Sequence, residues 1–498
     1  MEPARARRRH RAAVNVTDAF FERARAAPDA PALATAQGGL NYAELARAVI
    51  AAQHGFAREG LKPGDLAGVA VPRQVQQLVT MLALARLGAG QIPLGDSDPP
   101  LLRAELARRL KLAAVVAGEA GAVAGVPRIE PPSDRVDELR RAPQAQASAS
   151  TDGALPFLVR RSSGTTAGVP KLGLLTQAQA LRWLDDFAET VPRGPAVRYL
   201  PILDIGLVGA VHGVLRCLGA GGCLVLAGEP VGGEQAALEF VLRHGVNYIY
   251  GTAVHAGVLL KLARGPLLLP QLDAFAIGST LIPDALRADI RARLTPNLFV
   301  FYGINEVGMM TIAPPELVAR VPGTVGFPVP GLEIRIVDDA ERPLPPGERG
   351  LLRARGPAMM NGYLDDPEET ARAFRDGWFH SSDIVELTAE GALIHHGRAD
   401  DVMIFDGINI VPSEIESALL RHPAVAEAAA FPVRSDARGD LPMAAVVVRS
   451  ATTEEELLKF CRGRLGVRSP KRVLIVKELP RNASGKVLKR ELAALVRP

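Results

Sequence analysis

The sequence of 498 residues lacks the features that mark secreted and membrane-spanning proteins. It has only three cysteines, an odd number without a Cys-x-x-Cys pair, so we predict neither a disulfide framework nor a zinc site. Such buried or incidental thiols suit a reducing cytoplasm. No apolar run reaches the roughly 20 residues of a membrane-spanning helix. Apolar residues still make up 48% of the chain, which is enough for a large core and argues against disorder.

A charge excess of one sign is also missing from most of the chain. The formal net charge of +4 arises within residues 1–13, where five arginines accompany one glutamate, and the remainder is neutral. The basic pI therefore does not indicate a nucleic-acid-binding face. No apolar segment of a secretory signal follows these arginines. We predict a disordered basic tail over residues 1–13, with contact to a membrane or polyanion, or a transit peptide, as alternatives.

Short apolar runs alternate with helical patterns through the first two thirds of the chain. Leu66–Val71, Cys223–Ala227 and Leu298–Phe301 are such runs, and this alternation predicts parallel sheets covered by helices on both faces. Asn41 with Glu44 three residues later predicts a capping box. Residues 119–156, rich in Pro, Ala, Gly and Ser, are predicted to form a loop.

The pattern changes near residue 329. Glu333–Asp338 and Arg349–Arg355 alternate like antiparallel strands with turns between them. The last hundred residues predict a compact α+β unit, with helices at Pro412–Leu420 and Thr453–Arg464.

Ser162–Lys171 is the strongest local signal for chemistry. Gly, Ser and Thr in a tight loop expose backbone N–H groups and hydroxyls that can surround phosphate oxygens. Lys171 adds a point charge worth about 1–4 kcal/mol at ~4 Å from a polyanion, depending on screening. The spacing is not that of a Walker A loop. A flexible surface loop is the alternative interpretation.

Two further segments carry acids after apolar runs. In Phe301–Gly308, Glu306 just beyond a strand could hold Mg²⁺ beside phosphates, and Tyr302 could stack on a base. In Gly377–Asp383, Asp383 at a predicted turn could accept both hydroxyls of a ribose. Solvated turn acids are the alternative in both places.

Two C-terminal segments suggest movement. Gly397–Asp401 is polar and lies at the change of pattern, which favours a linker, and a helix is expected to begin at Pro412. Lys486, after Ser-Gly in a loop, could be inserted into the cleft of another domain. A solvated lysine is the alternative.

Together and in this order, these segments resemble the signature motifs of the adenylate-forming superfamily, which includes acyl- and aryl-CoA ligases, adenylation domains of peptide synthetases, and luciferases. The resemblance spans nearly the whole chain. It implies an α/β fold with a large N-terminal AMP-binding domain of helix-covered β-sheets plus a small distorted β-barrel over residues 14–398. A hinge over 399–401 and a small mobile α+β C-terminal domain over 402–498 would follow.

The resemblance also implies roles for individual residues. Lys486, Glu306 and Lys171 would be catalytic, with Glu306 as the magnesium ligand and Lys486 bridging the substrate carboxylate and the α-phosphate. The implied nucleotide contacts are Ser163, Gly164, Thr165, Thr166, Gly168 and Lys171 on the phosphates, Gly278, Ser279 and Thr280 on the adenine side, Tyr302 stacked on adenine, Gly303 elsewhere on the nucleotide, Asn305 near the phosphates, and Asp383 on ribose with Arg398 nearby. Asp204, His255 and Ile304 would line the substrate pocket, Asp400 would be the hinge residue, and Gly407 would line a thiol tunnel.

The sequence departs from the superfamily pattern in the phosphate loop, at Asn305 and at Asp204. The phosphate loop has an extra residue at Ala167-Gly168, Leu172 follows the lysine where Gly is usual, and Asn305 replaces the usual Thr. An amide can still donate to a phosphate oxygen. Asp204 stands where many acyl-CoA ligases have His or an aromatic residue.

The implied reaction uses ATP and Mg²⁺ to convert a carboxylic acid to an acyl-adenylate and then transfers the acyl group to a thiol. Because the sequence ends 12 residues after Lys486, we expect CoA or a separate phosphopantetheinyl carrier protein as the acceptor. One alternative is a stand-alone enzyme that loads an amino or other polar acid onto a carrier, with Asp204 pairing with a substrate ammonium. Another is a non-catalytic degenerate member. Neither a nucleic-acid partner nor a membrane span is expected.

Overall fold

The computed structural model describes most of the chain. The described residues are 14–95, 98–145, 148–166, 169–185, 191–192, 194–206, 208–228, 233–265, 267–278, 282–405, 408–435, 439–481 and 486–496. The predicted tail over residues 1–13 lies outside them and stays a prediction.

The strands follow one another along the chain as β1 (Pro31–Thr35), β2 (Gly38–Asn41), β3 (Leu66–Ala70), β4 (Gly90–Pro93), β5 (Ala114–Ala117), β6 (Arg128–Ile129), β7 (Pro156–Thr166), β8 (Val169–Thr176), β9 (Arg198–Pro201), β10 (Cys223–Leu226), β11 (Tyr248–Gly251), β12 (Ala274–Ile277), β13 (Leu298–Ile304), β14 (Gly308–Ala313), β15 (Thr324–Pro328), β16 (Glu333–Val337), β17 (Arg349–Arg355), β18 (Phe374–Arg375), β19 (Trp378–Leu387), β20 (Leu393–Arg398), β21 (Met403–Phe405), β22 (Ile408–Ile410), β23 (Val425–Ser435), β24 (Gly439–Val448) and β25 (Arg472–Ile475).

The helices are α1 (Asp18–Ala26), α2 (Tyr42–Arg58), α3 (Gln74–Leu87), α4 (Pro100–Leu110), α5 (Val136–Arg140), α6 (Gln177–Asp185), α7 (Val208–Ala220), α8 (Gly233–Arg243), α9 (Ala253–Leu262), α10 (Asp284–Arg293), α11 (Pro315–Arg320), α12 (Pro367–Ala373), α13 (Pro412–Leu420), α14 (Glu454–Leu465) and α15 (Lys489–Ala494). None of the helices in the described ranges is long and apolar enough to traverse a bilayer.

Two large sheets form the N-terminal part. A six-stranded sheet has the order β6-β5-β3-β4-β7-β8, parallel except for the antiparallel pair β7 and β8. A fourteen-stranded sheet runs β16-β17-β19-β20-β15-β14-β13-β12-β11-β9-β10-β1-β2, with β18 paired to β19. From β10 to β13 it is parallel, and from β13 to β16 it is antiparallel. The predicted α/β fold is confirmed, and β13 lies where the pairing changes.

The C-terminal part has its own sheet and apolar core. Its five strands run β22-β21-β24-β23, with β25 parallel to β24. Helices α13 and α14 cover this sheet, and their apolar side chains, including Ile415 and Leu457, are fully buried with Val446 of β24. This separate core is what the predicted compact α+β unit requires.

Several local predictions agree with the structure and two do not. The Asn41–Glu44 capping box is present, and α13 has the predicted bounds. The predicted loop over 119–156 is wrong in part, because β6 and α5 lie within it. Asp383 was predicted at a turn but lies inside β19, where it pairs with Arg398 of β20. The strand begins at Trp378, directly after Gly377, so Asp383 lies five residues beyond the strand's first residue.

Candidate active site

A large cleft of about 2040 Å³ is lined by residues from all three sheets. Arg161 of β7, Val300 of β13 and Ala428 of β23 are on its walls. Ligand pockets are commonly about 300–1,000 Å³, so this cleft has room for a nucleotide and a second substrate together.

The cleft brings together most of the described candidate residues, although they are far apart in sequence. The candidates on its walls are Lys171, Asp204, Tyr302, Gly303, Ile304, Asn305, Glu306, Asp383, Arg398, Asp400 and Lys486.

Other candidates are placed elsewhere or are outside the description. Gly168, Ser279, Thr280 and Gly407 lie outside the described residues. For Ser163, Gly164, Thr165 and Thr166 only the backbone is described, as the end of β7. Gly278 directly follows β12. A Cβ atom at this position would lie 3.0 Å from the Tyr250 hydroxyl and 3.4 Å from the Phe301 carbonyl oxygen.

His255 was expected to line the substrate pocket, but it is not among the residues on the cleft wall. Its Nδ1 accepts a hydrogen bond from the backbone N–H of Thr252 at 3.1 Å, which caps α9. Burial lowers the pKa of His255, so the ring is suited to this neutral acceptor role. The neighbouring Ala253 and Val254 line the cleft instead.

The backbone of the predicted phosphate loop is a β-hairpin. Thr165 pairs with Pro170 and Thr166 with Val169, and the register shifts between Arg161 and Thr165. Lys171 lies on β8, the second strand of this hairpin, and its ammonium forms an ion pair with Glu369 of α12. The ammonium also lies 5.3 Å from the centre of the Tyr363 ring.

Glu306 lies in the turn between β13 and β14, where Gly308 adopts a φ of 96° that favours glycine. The Tyr363 hydroxyl donates to Oε1 of Glu306 at 2.7 Å. Burial, and then the Glu306 charge, raises the pKa of Tyr363, so the phenol stays a donor. Glu306 is thus held facing the cleft beside Lys171.

A reciprocal pair of hydrogen bonds joins the two large sheets at the site. Nη1 of Arg160 donates to the Asn305 carbonyl at 2.7 Å, and Nδ2 of Asn305 donates to the Arg161 carbonyl at 2.7 Å. Arg160 is buried, which lowers its pKa to about 10, while the charge of Glu306 acts in the opposite direction. Asn305 therefore connects β7, the first strand of the predicted phosphate loop, to the turn that contains Glu306.

The predicted nucleoside residues are hydrogen-bonded to one another. The Tyr302 hydroxyl donates to Oδ2 of Asp383, and Nη1 of Arg398 lies 3.4 Å from Oδ1. Burial alone would raise the pKa of Asp383, but His395, 3.8 Å away, together with Tyr302 and Arg398 lowers it. Asp383 is therefore a preformed carboxylate acceptor on the cleft wall.

Asp400 and Arg398 form a close bidentate pair at the predicted hinge. Nε and Nη2 of Arg398 donate to the two carboxylate oxygens at 2.8 and 2.6 Å, and Ser382 Oγ donates to Oδ2 at 3.0 Å. The hydrogen bond to Asp400 is the main cause of the raised pKa of Arg398. A rotation at Asp400 would thus act directly on Arg398.

Asp204 has a fixed orientation in the cleft. Its Oδ1 accepts from the backbone N–H of Gly206 at 2.7 Å, and its Oδ2 accepts from Nε2 of Gln77 at 3.2 Å. The residue is nonetheless exposed to the cleft. It presents a negative charge that two neutral donors hold in place.

The described carboxylates and imidazoles of the cleft do not form a site for a permanently bound metal. They are better suited to a magnesium ion that binds together with substrate phosphates. Within the described residues, no group of three His, Cys, Asp or Glu could hold a metal. Glu306 supplies one carboxylate beside the predicted phosphate loop, and Mg²⁺ is often held by one or two carboxylates plus substrate phosphates.

Sequence reasoning missed three side chains that shape the site, namely Arg160, Tyr363 and Glu369. Asp366-Pro367 followed by Glu369 signals a helix start, and the Asp366 side chain does cap α12. That local signal says nothing of Lys171, which lies 198 residues earlier.

The ribose contact predicted for Asp383 leads to a testable expectation for nucleotide affinity. Asp383→Asn keeps the shape but removes the charge, and a hydrogen bond to a charged group contributes about 1.5–3 kcal/mol. We expect the KM for ATP to rise on the order of 10-fold or more. Glu386→Gln on the same strand is the matched control. The Glu386 carboxylate lies 3.0 Å from Nε2 of His396 and belongs to a different pair from the Asp383 carboxylate. An unchanged KM in Asp383→Asn would contradict the ribose assignment.

Two family models match this chain. Residues 20–364 match the AMP-binding enzyme family, and residues 414–486 match the AMP-binding enzyme C-terminal domain. The chain belongs to the AMP-binding enzyme family, that is, to the adenylate-forming superfamily. It is an enzyme of the AMP-forming acid–thiol ligase class.

Two curated relatives differ in how much of their length is matched. The oxalate–CoA ligase of Arabidopsis thaliana is 31% identical over 87% of this chain and 89% of that enzyme. The long-chain-fatty-acid–CoA ligase of Escherichia coli O6:H1 is 31% identical over 66% of this chain, which spans 60% of that ligase.

Two solved structures share the fold over nearly their whole length. The o-succinylbenzoate coenzyme A synthetase of Bacillus subtilis, in complex with ATP and magnesium ion, has a TM-score of 0.82 and 25% identity, over 95% of this chain and 98% of that one. The amide bond synthetase McbA of Marinactinospora thermotolerans has a TM-score of 0.82 and 25% identity, over 96% of this chain and 100% of that one.

Proposed function

We propose that the protein activates a carboxylic acid with ATP, releases pyrophosphate, and transfers the acyl group from the adenylate to the thiol of CoA. The observation that carries this proposal is the shared cleft of Lys486, Lys171, Glu306 and Asp383. The names of the curated relatives, which are CoA ligases acting on different acids, support the same reaction type.

In the first half-reaction, the substrate carboxylate attacks the α-phosphorus and pyrophosphate leaves. Negative charge grows on the non-bridging oxygens and on the leaving group. Lys486 compensates it at the α-phosphate, and Lys171 compensates it at the outer phosphates. Glu306 would hold a magnesium ion, which would supply further charge compensation at the phosphates. Catalysis then consists of positioning and electrostatic stabilisation rather than covalent chemistry by the protein.

In the second half-reaction, a thiol attacks the acyl-adenylate carbonyl and AMP leaves. We propose that the C-terminal part, residues 402–498, rotates at Asp400 and removes Lys486 from the cleft, while Gly407 comes to line the thiol tunnel. Rotation breaks the Asp400–Arg398 pair, so it also releases a contact of the nucleoside site.

A second candidate is a stand-alone enzyme that loads a polar acid onto a carrier protein. The observation in its favour is Asp204, a carboxylate held by Gln77 and Gly206 in the cleft. Such a fixed negative charge would attract a substrate ammonium and repel the carboxylates of a dicarboxylic acid.

The experiment measures pyrophosphate release with a panel of fatty, aromatic, dicarboxylic and amino acids, with and without Mg²⁺. We expect release with one class of acid and only when Mg²⁺ is present. Acids that are turned over are then tested with CoA, with a phosphopantetheinylated carrier protein, and with a free amine. Thioester formation with CoA supports the first candidate, and transfer to the carrier alone supports the second. Amide formation alone, or ATP binding without pyrophosphate release, would contradict both.

A further inference from the structure

The ammonium of Lys171 has a protein partner at the place where phosphates are expected. It forms an ion pair with Glu369, and the two side chains are only 15% and 16% exposed. Burial alone would raise the pKa of Glu369, yet hydrogen bonds from Arg372 and Lys171 hold it below its usual range. A charged carboxylate therefore competes with any phosphate that approaches this lysine.

Glu369 is held against Lys171 by the segment from Met360 to Thr370. The Leu364 N–H donates to the carbonyl of Leu172 at 2.7 Å, next to Lys171. The Tyr363 N–H donates to Oγ1 of Thr370 at 2.9 Å, which fixes α12 to this segment. The Met360 N–H donates to the Glu306 carbonyl at 2.9 Å. One segment thus sets the positions of the groups around both Lys171 and Glu306.

Glu369 also has a second cation. Nε and Nη2 of Arg372 donate to its carboxylate at 2.9 and 2.6 Å. Leaving a buried carboxylate without a partner is costly, but Arg372 would still neutralise Glu369 after Lys171 has turned to a phosphate. The ion pair can therefore exchange its lysine at a modest cost.

We propose that Glu369 is a positioning residue that holds Lys171 before nucleotide binds, yields it to the phosphates of ATP, and takes it back as pyrophosphate leaves. This inference rests on the proposed function, in which Lys171 contacts the outer phosphates. Competition for one ammonium makes both ATP and pyrophosphate bind less tightly than they would without Glu369, and so favours product release.

The test measures binding by calorimetry, without acid substrate, using pyrophosphate and an ATP analogue with a methylene α–β bridge. Glu369→Gln keeps the shape and removes the competing charge. We expect the Kd of both ligands to fall about three- to tenfold, as the loss of one partly exposed ion pair would give. A purely structural role would leave these Kd values unchanged or raise them, and either result overturns the proposal.

Arg372→Gln is the matched variant, because it removes the other cation that pairs with Glu369. The ion pair between Glu369 and Lys171 should then become stronger. We expect a Kd about threefold higher for both ligands, and no such increase when Arg372→Gln is added to Glu369→Gln. An equal increase in both backgrounds would mean direct contact of Arg372 with phosphate and would overturn the exchange. If Glu369→Gln does not fold, as judged by thermal melting, Glu369→Ala takes its place in both comparisons, and unchanged or raised Kd values in that variant overturn the proposal. If the wild-type protein binds neither ligand, the proposed function fails as well.

Discussion

Lys486→Ala should lower the rate of acyl-adenylate formation by ~10²–10³-fold or more, as the loss of one charge-stabilising donor does in other active sites. The lysine directly precedes Val487, which pairs with Arg481 in an isolated β-bridge, and the Leu488 N–H donates to the Pro480 carbonyl at 2.8 Å. Lys486 lies on the wall of the cleft that also contains Lys171 and Glu306. Alanine keeps these backbone contacts and removes only the cation.

The two half-reactions must be measured separately. Pyrophosphate release reports adenylation, and CoA thioester formation from supplied acyl-adenylate reports thiolysis, which we expect to persist in Lys486→Ala. Lys477→Ala is the matched control, since Lys477 is an exposed lysine shortly after β25. Equal losses in both half-reactions would remove the assigned role of Lys486.

Asp400→Pro should have the opposite pattern, with thioester formation blocked and adenylation spared. Proline fixes φ near −65° and restricts the preceding residue, so a bending point at Asp400 loses its freedom. If residues 402–498 cannot rotate into the arrangement proposed for thiolysis, the rate of thiolation should fall on the order of 10²-fold. The cleft already has Lys486 on its wall in the present arrangement, so adenylation does not need the rotation.

The substitution also removes the carboxylate that pairs with Arg398, and a control must separate the two effects. Asp400→Ala removes the same pair with Arg398 and Ser382 but leaves the backbone free to rotate. We expect Asp400→Ala to retain most of its thiolation activity. Normal thioester output from Asp400→Pro would refute the hinge, and equal losses in both variants would show that the ion pair matters instead.

The local elements were readable from the sequence because their signals lie within a few residues. Asn41 and Glu44 form the predicted capping box, and α13 begins at the predicted proline. A hydrogen bond between a cap side chain and the N–H three residues on needs no distant partner. The loop predicted over 119–156 failed because α5 is short and carries a weak apolar pattern.

The site residues were proposed from motifs, and their contacts were not. Asp383 was named as a ribose ligand, but the sequence did not show that Tyr302, His395 and Arg398 surround it. Those neighbours come from the pairing of β19 with β20 and from β13, far away in the chain. Local patterns contain no information about which strands become neighbours.

The sequence by itself determined the fold class, the order of the chemical motifs and the membership of the superfamily. Only the tertiary structure decided that Glu369 holds Lys171 and that Tyr363 holds Glu306. The energy of an ion pair depends on the distance between its charges and on their burial. Both quantities are set by how the sheets and α12 pack together. That packing brings together residues separated by 198 positions in the chain, a range beyond any local propensity.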